Sequence, residues 1–150
     1  MHRLFPAGLL LAAVCSMAPA QSSVPSSHRL TLRQARQLAT LVAGHDRIDL
    51  HDSHVEVNSM DLQRDFIPGF SSFIVIRESS TPGPDEVLRR YAINRTTGDV
   101  WEITLCTHYD FPELAHMLHA FAIRAQPASG NVAAQSKELG CSEATPAPTS

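Results

Sequence analysis

The stretch Leu88-Arg89-Arg90-Tyr91-Ala92-Ile93-Asn94-Arg95-Thr96-Thr97-Gly98-Asp99-Val100-Trp101-Glu102-Ile103-Thr104-Leu105 reads as two strands joined by a turn. Tyr91 and Ile93 share one face of the first strand, 88–94. Trp101, Ile103 and Leu105 share one face of the second, 100–105, as a period of two requires. The turn between them is Arg95-Thr96-Thr97-Gly98-Asp99, and Gly98 can take the left-handed backbone that such a hairpin needs. Two further strands precede this pair. Residues 70–77 include Phe73-Ile74-Val75-Ile76, apolar on both faces as a central strand is. Residues 54–58 alternate, with Val55 and Val57 on one side. Pro82-Gly83-Pro84-Asp85 forms a turn that no strand can cross.

A helix lies on either side of these strands. Thr31 fits an N-cap and Gln34 three residues on completes a capping box, with Leu30 ahead of it as a staple. Ala35, Leu38, Ala39 and Val42 recur at helical spacing with Leu32, and Gly44 offers a left-handed C-cap. Residues 112–125 form the second helix, with Leu114, Leu118, Phe121 and Ala125 as its apolar stripe and Met117 and Ala122 at its edges. The expected fold is therefore α+β: an N-terminal helix packed on a three- to four-stranded antiparallel sheet, then a second helix and a flexible C-terminal tail. One sheet face is covered by helix, and the other is partly wet or used for contacts.

The segments outside this core set the compartment. Met1-His2-Arg3 is a basic start, 9–14 is a short apolar run, and Ala18-Pro19-Ala20 is a signal-peptidase pattern. Residues 1–20 thus read as a signal peptide, cleaved near Ala20 to leave an exported protein, periplasmic or secreted. Cys15 follows valine rather than a small residue, which disfavours lipidation. The apolar run is too short for a stable membrane span. Residues 21–29 form a Ser/Pro leader, 30–125 a single domain, and 126–150 a loose tail rich in small residues. Cys106 and Cys141 remain after cleavage. In an oxidising compartment such a pair is most simply a disulfide, worth about 3–4 kcal/mol for a loop of this size and pinning the tail at Cys141.

The chain of 150 residues carries 12 basic and 15 acidic side chains, a net charge of −3. Nothing in it supplies the basic footprint of a nucleic-acid binder. There is no phosphate-binding glycine loop, no Gly-x-Ser-x-Gly elbow around Ser71 and Ser72, and no carboxylate pair in an apolar setting. Cys106 and His108 would share a sheet face if the strand ran on, but a disulfide would consume the thiol. The reading is a non-catalytic domain rather than an enzyme, with no cofactor.

The turn Tyr91-Ala92-Ile93-Asn94-Arg95-Thr96-Thr97-Gly98-Asp99-Val100-Trp101, with a helix leading into consecutive strands, resembles the hairpin of PepSY-type and other cystatin-like secreted bacterial domains. The resemblance implies an inhibitory, binding or immunity module whose partner is another secreted or cell-envelope protein. It transfers no binding residue, since the shared letters are turn and core letters. It also makes the Asn94-Arg95-Thr96 glycosylation triplet incidental.

Two candidate sites remain. Arg95, Asp99 and Trp101 would be the contact residues if the hairpin or the uncovered sheet face binds a partner, although a lone Trp on a strand is more often core. The alternative is a metal site for zinc or copper. His116 and His119 lie three apart on the second helix, and His108 precedes it. The cluster His45, Asp46, Asp49, His51, Asp52 and His54 reads as a solvated connection.

Overall fold

A computed structural model of the chain describes residues 29–60, 67–121, 129–141 and 145–146. The expected signal peptide at 1–20 and nearly all of the leader lie outside them, as do Ala122 and Ala125. Helix α1 spans Leu32–His45, and strands β1 to β5 follow at Val55–Ser59, Phe70–Arg77, Glu86–Asn94, Val100–Glu102 and Thr107–Tyr109. Helix α2 is Pro112–Ala120, helix α3 is Ser129–Glu138, and β6 is the two-residue Thr145–Pro146. The sheet order is β1-β2-β3-β4-β5-β6; each neighbouring pair from β1 to β5 is antiparallel, and β6 lies parallel to β5. The α+β order stands, with more strands than the sequence advertises.

The inner sheet face packs on α1 and α2. Val57 and Val75 from β1 and β2, Tyr91 and Ile93 from β3, Val100 from β4 and Tyr109 from β5 meet Ala35, Leu38, Ala39, Val42 and Ala43 of α1. Three small residues in that stripe let the helix approach the sheet closely. The capping box forms as expected: Thr31 Oγ1 accepts from Gln34 N at 3.2 Å, and Gln34 Oε1 accepts from Thr31 N at 2.9 Å. Leu30 is buried beside it. Leu32, expected in the apolar stripe, is exposed. Gly44 is not the left-handed residue; the helix runs on to His45 and Arg47 takes that role at φ 61°. The chain is pulled round there because Asp46 is anchored beneath the sheet. Its Oδ2 accepts hydrogen bonds from Tyr91 Oη at 2.8 Å and Tyr109 Oη at 2.6 Å, with Arg89 Nε at 3.5 Å. Burial, and then the bond to Asp46, pushes both phenols well above their ordinary pKa.

The β3–β4 hairpin forms with Gly98 at φ 80°, as the turn requires. Leu118 of α2 sits against that glycine, so any Cβ there would collide with it. The second strand is shorter than its apolar pattern suggests. It stops at Glu102, and residues 103–106 turn back into β5. Ile103 still packs beside Trp101, but Leu105 swings into solvent. Helix α2 likewise ends early, with Phe121 as its C-cap.

Residues 129–138, expected to be loose linker, form α3 on the outer sheet face. Val132 and Leu139 pack against Phe70, Ala92 and Trp101. The Cys106–Cys141 disulfide ties the end of this segment to the β4–β5 turn, with Cα atoms 5.6 Å apart. Cys106 itself is left-handed at φ 55°, a conformation that costs an L-residue about 1–3 kcal/mol unless its surroundings fix it.

Candidate partner-binding face

The outer face divides into rows of directly paired residues, because antiparallel partners project to the same side. One row is Ser72, Ala92, Trp101 and His108. The next is Asn58, Ile74 and Arg90, and the one beyond is Glu56, Ile76 and Val87. Helix α3 closes over the first row and over Phe70. No described element covers the other two.

In the closed half, Gln135 of α3 organises a buried polar network. Its Oε1 accepts from Trp101 Nε1 at 3.1 Å, and its Nε2 donates to Asp99 Oδ2 at 2.5 Å. Thr97 Oγ1 donates to the same Asp99 oxygen, and His108 Nε2 lies 3.5 Å from the other. Burial raises the Asp99 pKa, but its bonds from His108, Thr97 and Gln135 outweigh that and hold it below the usual carboxylate range. The His108 ring packs against Trp101 at 4.9 Å between centroids. Gln135 thus ties α3 to Trp101 on β4 and to Asp99 in the hairpin turn.

These positions correct the hairpin candidates. Trp101 is completely buried beneath α3 and cannot be a surface contact. Asp99 faces into the same network. Arg95 Nε donates to Leu30 O at 3.3 Å, tying the turn to the start of α1. Asn94 Oδ1 accepts from the backbone of Thr96 and Thr97, so that side chain shapes the turn.

The histidines do not converge. His116 and His119 are exposed on α2, on the inner side of the sheet, while His108 lies on the outer side under α3. The sheet stands between them, and no group of three His, Cys, Asp or Glu side chains among the described residues could hold a metal ion. In the 46–54 connection, His51 N and His54 N bond to Asp49 and Asp52 carboxylates, local turns of a solvated loop. His45 instead stacks on Phe111 at 4.1 Å. The Cys106 thiol is in the disulfide, which leaves no Cys–His pair. His116 does line a groove of about 620 Å³ with Leu41, Pro112, Glu113, Met117 and Ala120.

The open half is chemically different. Ile74 and Ile76 are half-buried, flanked by exposed Glu56 and Arg90 and by Val87, which is 46% exposed. Asn58 Nδ2 donates to Glu56 Oε2 at 3.0 Å. Arg77 pairs with Glu86 at 2.9 Å across the β2–β3 end of the sheet. The Arg90 guanidinium has no partner among the described residues. An apolar strip with a polar rim and one uncompensated cation suits a protein contact. Sequence reading missed this strip because Ile74 and Ile76 look like the core of a strand covered on both sides.

A family profile described as effector immunity protein Tgi2PP matches residues 47–89. Those residues make β1, β2 and the start of β3, the strands that carry the open rows. Comparison with curated proteins finds no match. Among solved structures, the chain is similar to one from a type VI secretion system effector–immunity complex of Pseudomonas protegens. The identity is 27% and the TM-score 0.64, over 77% of this chain and 92% of that one. The likeness to PepSY-type and cystatin-like domains is thereby overturned. It rested on the 91–101 hairpin, whose letters any turn with a left-handed glycine shares, and the family match ends before that turn. What the comparisons do bear out is an immunity-type, protein-binding module rather than an enzyme.

Proposed function

We propose that the mature chain is an immunity protein that acts outside the cytoplasm, binding a type VI secretion effector and blocking its toxicity. The observation that carries this reading is the overlap of the family match with the open rows of the outer face. The effector-immunity match, residues 47–89, contains five of the six open-row residues, Glu56, Asn58, Ile74, Ile76 and Val87, along with Phe70 and Ser72 of the closed half, and ends one residue before Arg90. The disulfide and the basic-apolar start of the sequence support an oxidising compartment reached by export. No described helix is long and apolar enough to cross a membrane. Inhibition by occlusion needs no chemistry from this chain, only a rigid face.

The test is protection. Cells directing the effector of the same source to their periplasm should regain growth when they also make this chain with residues 1–20 intact. A version lacking those residues should give no protection. Continued killing in the presence of the exported chain would contradict the reading.

A further inference from the structure

Strand β3 outruns β4, and the step between them is the most distinctive surface on the molecule. β3 has nine residues and β4 three. Only Tyr91, Ala92 and Ile93 pair with β4, and the last rung is Ile103 N donating to Arg90 O at 2.9 Å. Residues 86–89 therefore have a strand on the β2 side alone among the described residues. The step encloses a recess of about 350 Å³ lined by Val87, Leu88, Arg89, Arg90, Glu102, Thr104 and Leu105. Val87 is 46% and Leu105 62% exposed, two of three exposed large hydrophobics among the described residues. An open edge with apolar flanks is a template for a further strand.

The charge and the backbone narrow the occupant. Glu102 is buried and accepts from Leu105 N, so its carboxylate is already used inside the turn. Arg89 is held by Asp46, and its Nη1 donates to Leu88 O at 2.8 Å, covering an edge carbonyl that an incoming N–H could take over. Of the charged residues lining the recess, Arg90 alone is exposed and without a partner among the described residues. The β1 edge offers less: Asn58 and Glu56 bond each other, and none of the exposed large hydrophobics among the described residues lies on it.

We propose that this step seats an extended, carboxylate-bearing segment of the effector, which lies along residues 86–89 of β3, covers Val87 and Leu105, and pairs its acid with Arg90. The proposal rests on the effector-binding reading above and locates the contact within it.

The experiment is calorimetric titration of the mature chain with the purified, inactivated effector of the same source. Val87→Lys/Leu105→Lys and Arg90→Glu are compared with His116→Ala on the far side. Expected is at least a tenfold rise in Kd for the first two, unchanged affinity for His116→Ala, and unchanged melting for all three. Arg90→Glu should regain affinity when one acidic residue of the effector segment is replaced by lysine. If the wild-type chain does not bind the effector, the functional reading fails and this proposal with it. If the wild type binds and both edge variants bind within twofold of it, the step is not the contact, although the function stands. A wild-type dimer broken by Val87→Lys/Leu105→Lys at unchanged effector affinity would assign the step to a second copy of this chain and equally overturn the proposal.

Discussion

On the outer face of one sheet, the rows through Phe70 and Trp101 are sealed by α3, while the rows through Ile74 and Ile76 stand open. Both halves present apolar strand residues, so hydrophobicity does not separate them. The difference lies in what the polar side chains do. Gln135, Asp99 and Thr97 turn inward and bond one another and the Trp101 indole, while His108 packs on the Trp101 ring. Glu56 and Arg90 point outward, and Arg90 is left without a partner among the described residues. A sheet face whose polar groups turn inward under a helix serves the fold, whereas one with an exposed, uncompensated charge is available to another molecule.

That contrast can be broken from the closed side first. Trp101→Ala empties the largest buried side chain of the molecule and should cost about 3–5 kcal/mol in urea unfolding. Removing the bridge with Cys106→Ser/Cys141→Ser should cost about 3–4 kcal/mol and shift Trp101 emission to the red as α3 loosens. A destabilised variant with unshifted emission would mean that α3 stays seated without its tether. Gln135→Ala leaves the Trp101 N–H and the Asp99 carboxylate short of a partner, an expected loss of about 1–3 kcal/mol.

Acid should act on the same half. Asp99 has a depressed folded pKa, so its contribution to stability is complete above the unfolded value of about 3.9 and is lost as pH falls through the lower folded one. The urea midpoint should therefore drop below about pH 4, and Asp99→Asn should be less stable at neutral pH and flatter through that acid window. The smallest effect on stability belongs to the open half. Arg90→Glu should change the unfolding free energy by no more than about 0.5 kcal/mol while weakening effector binding. A large loss of stability there would mean that Arg90 serves the fold.

The legible parts of the chain are those whose causes are local. Thr31 and Gln34 fix the start of α1 by themselves, the apolar run Phe73-Ile74-Val75-Ile76 gives β2, and Gly98 marks the hairpin turn. The reading falters where distant residues decide. β4 stops at Glu102 because the chain must return at 103–106 to pair β5 and reach Cys141, which the apolar letters Ile103 and Leu105 do not reveal. The end of α1 moves past Gly44 because Tyr91 and Tyr109, far along the chain, hold Asp46. Most consequential is α3. Its sequence, SGNVAAQSKE, has no apolar stripe to announce a packed helix, and its buried anchor is a glutamine. Without α3, Trp101 looks like a surface aromatic, His108 like a free ligand, and the whole outer face like one surface. Cys141 was the sole sequence signal that something returns there, and it marked the tether without showing what it holds down.

The central claim, that the open rows of β2 and β3 meet the effector, is tested most directly by hydrogen–deuterium exchange of the mature chain alone and in complex. The account predicts new protection over residues 74–90, with α3 and α2 unchanged. Protection confined to α2 or to the 95–99 turn, with 74–90 exchanging as in the free chain, would contradict it.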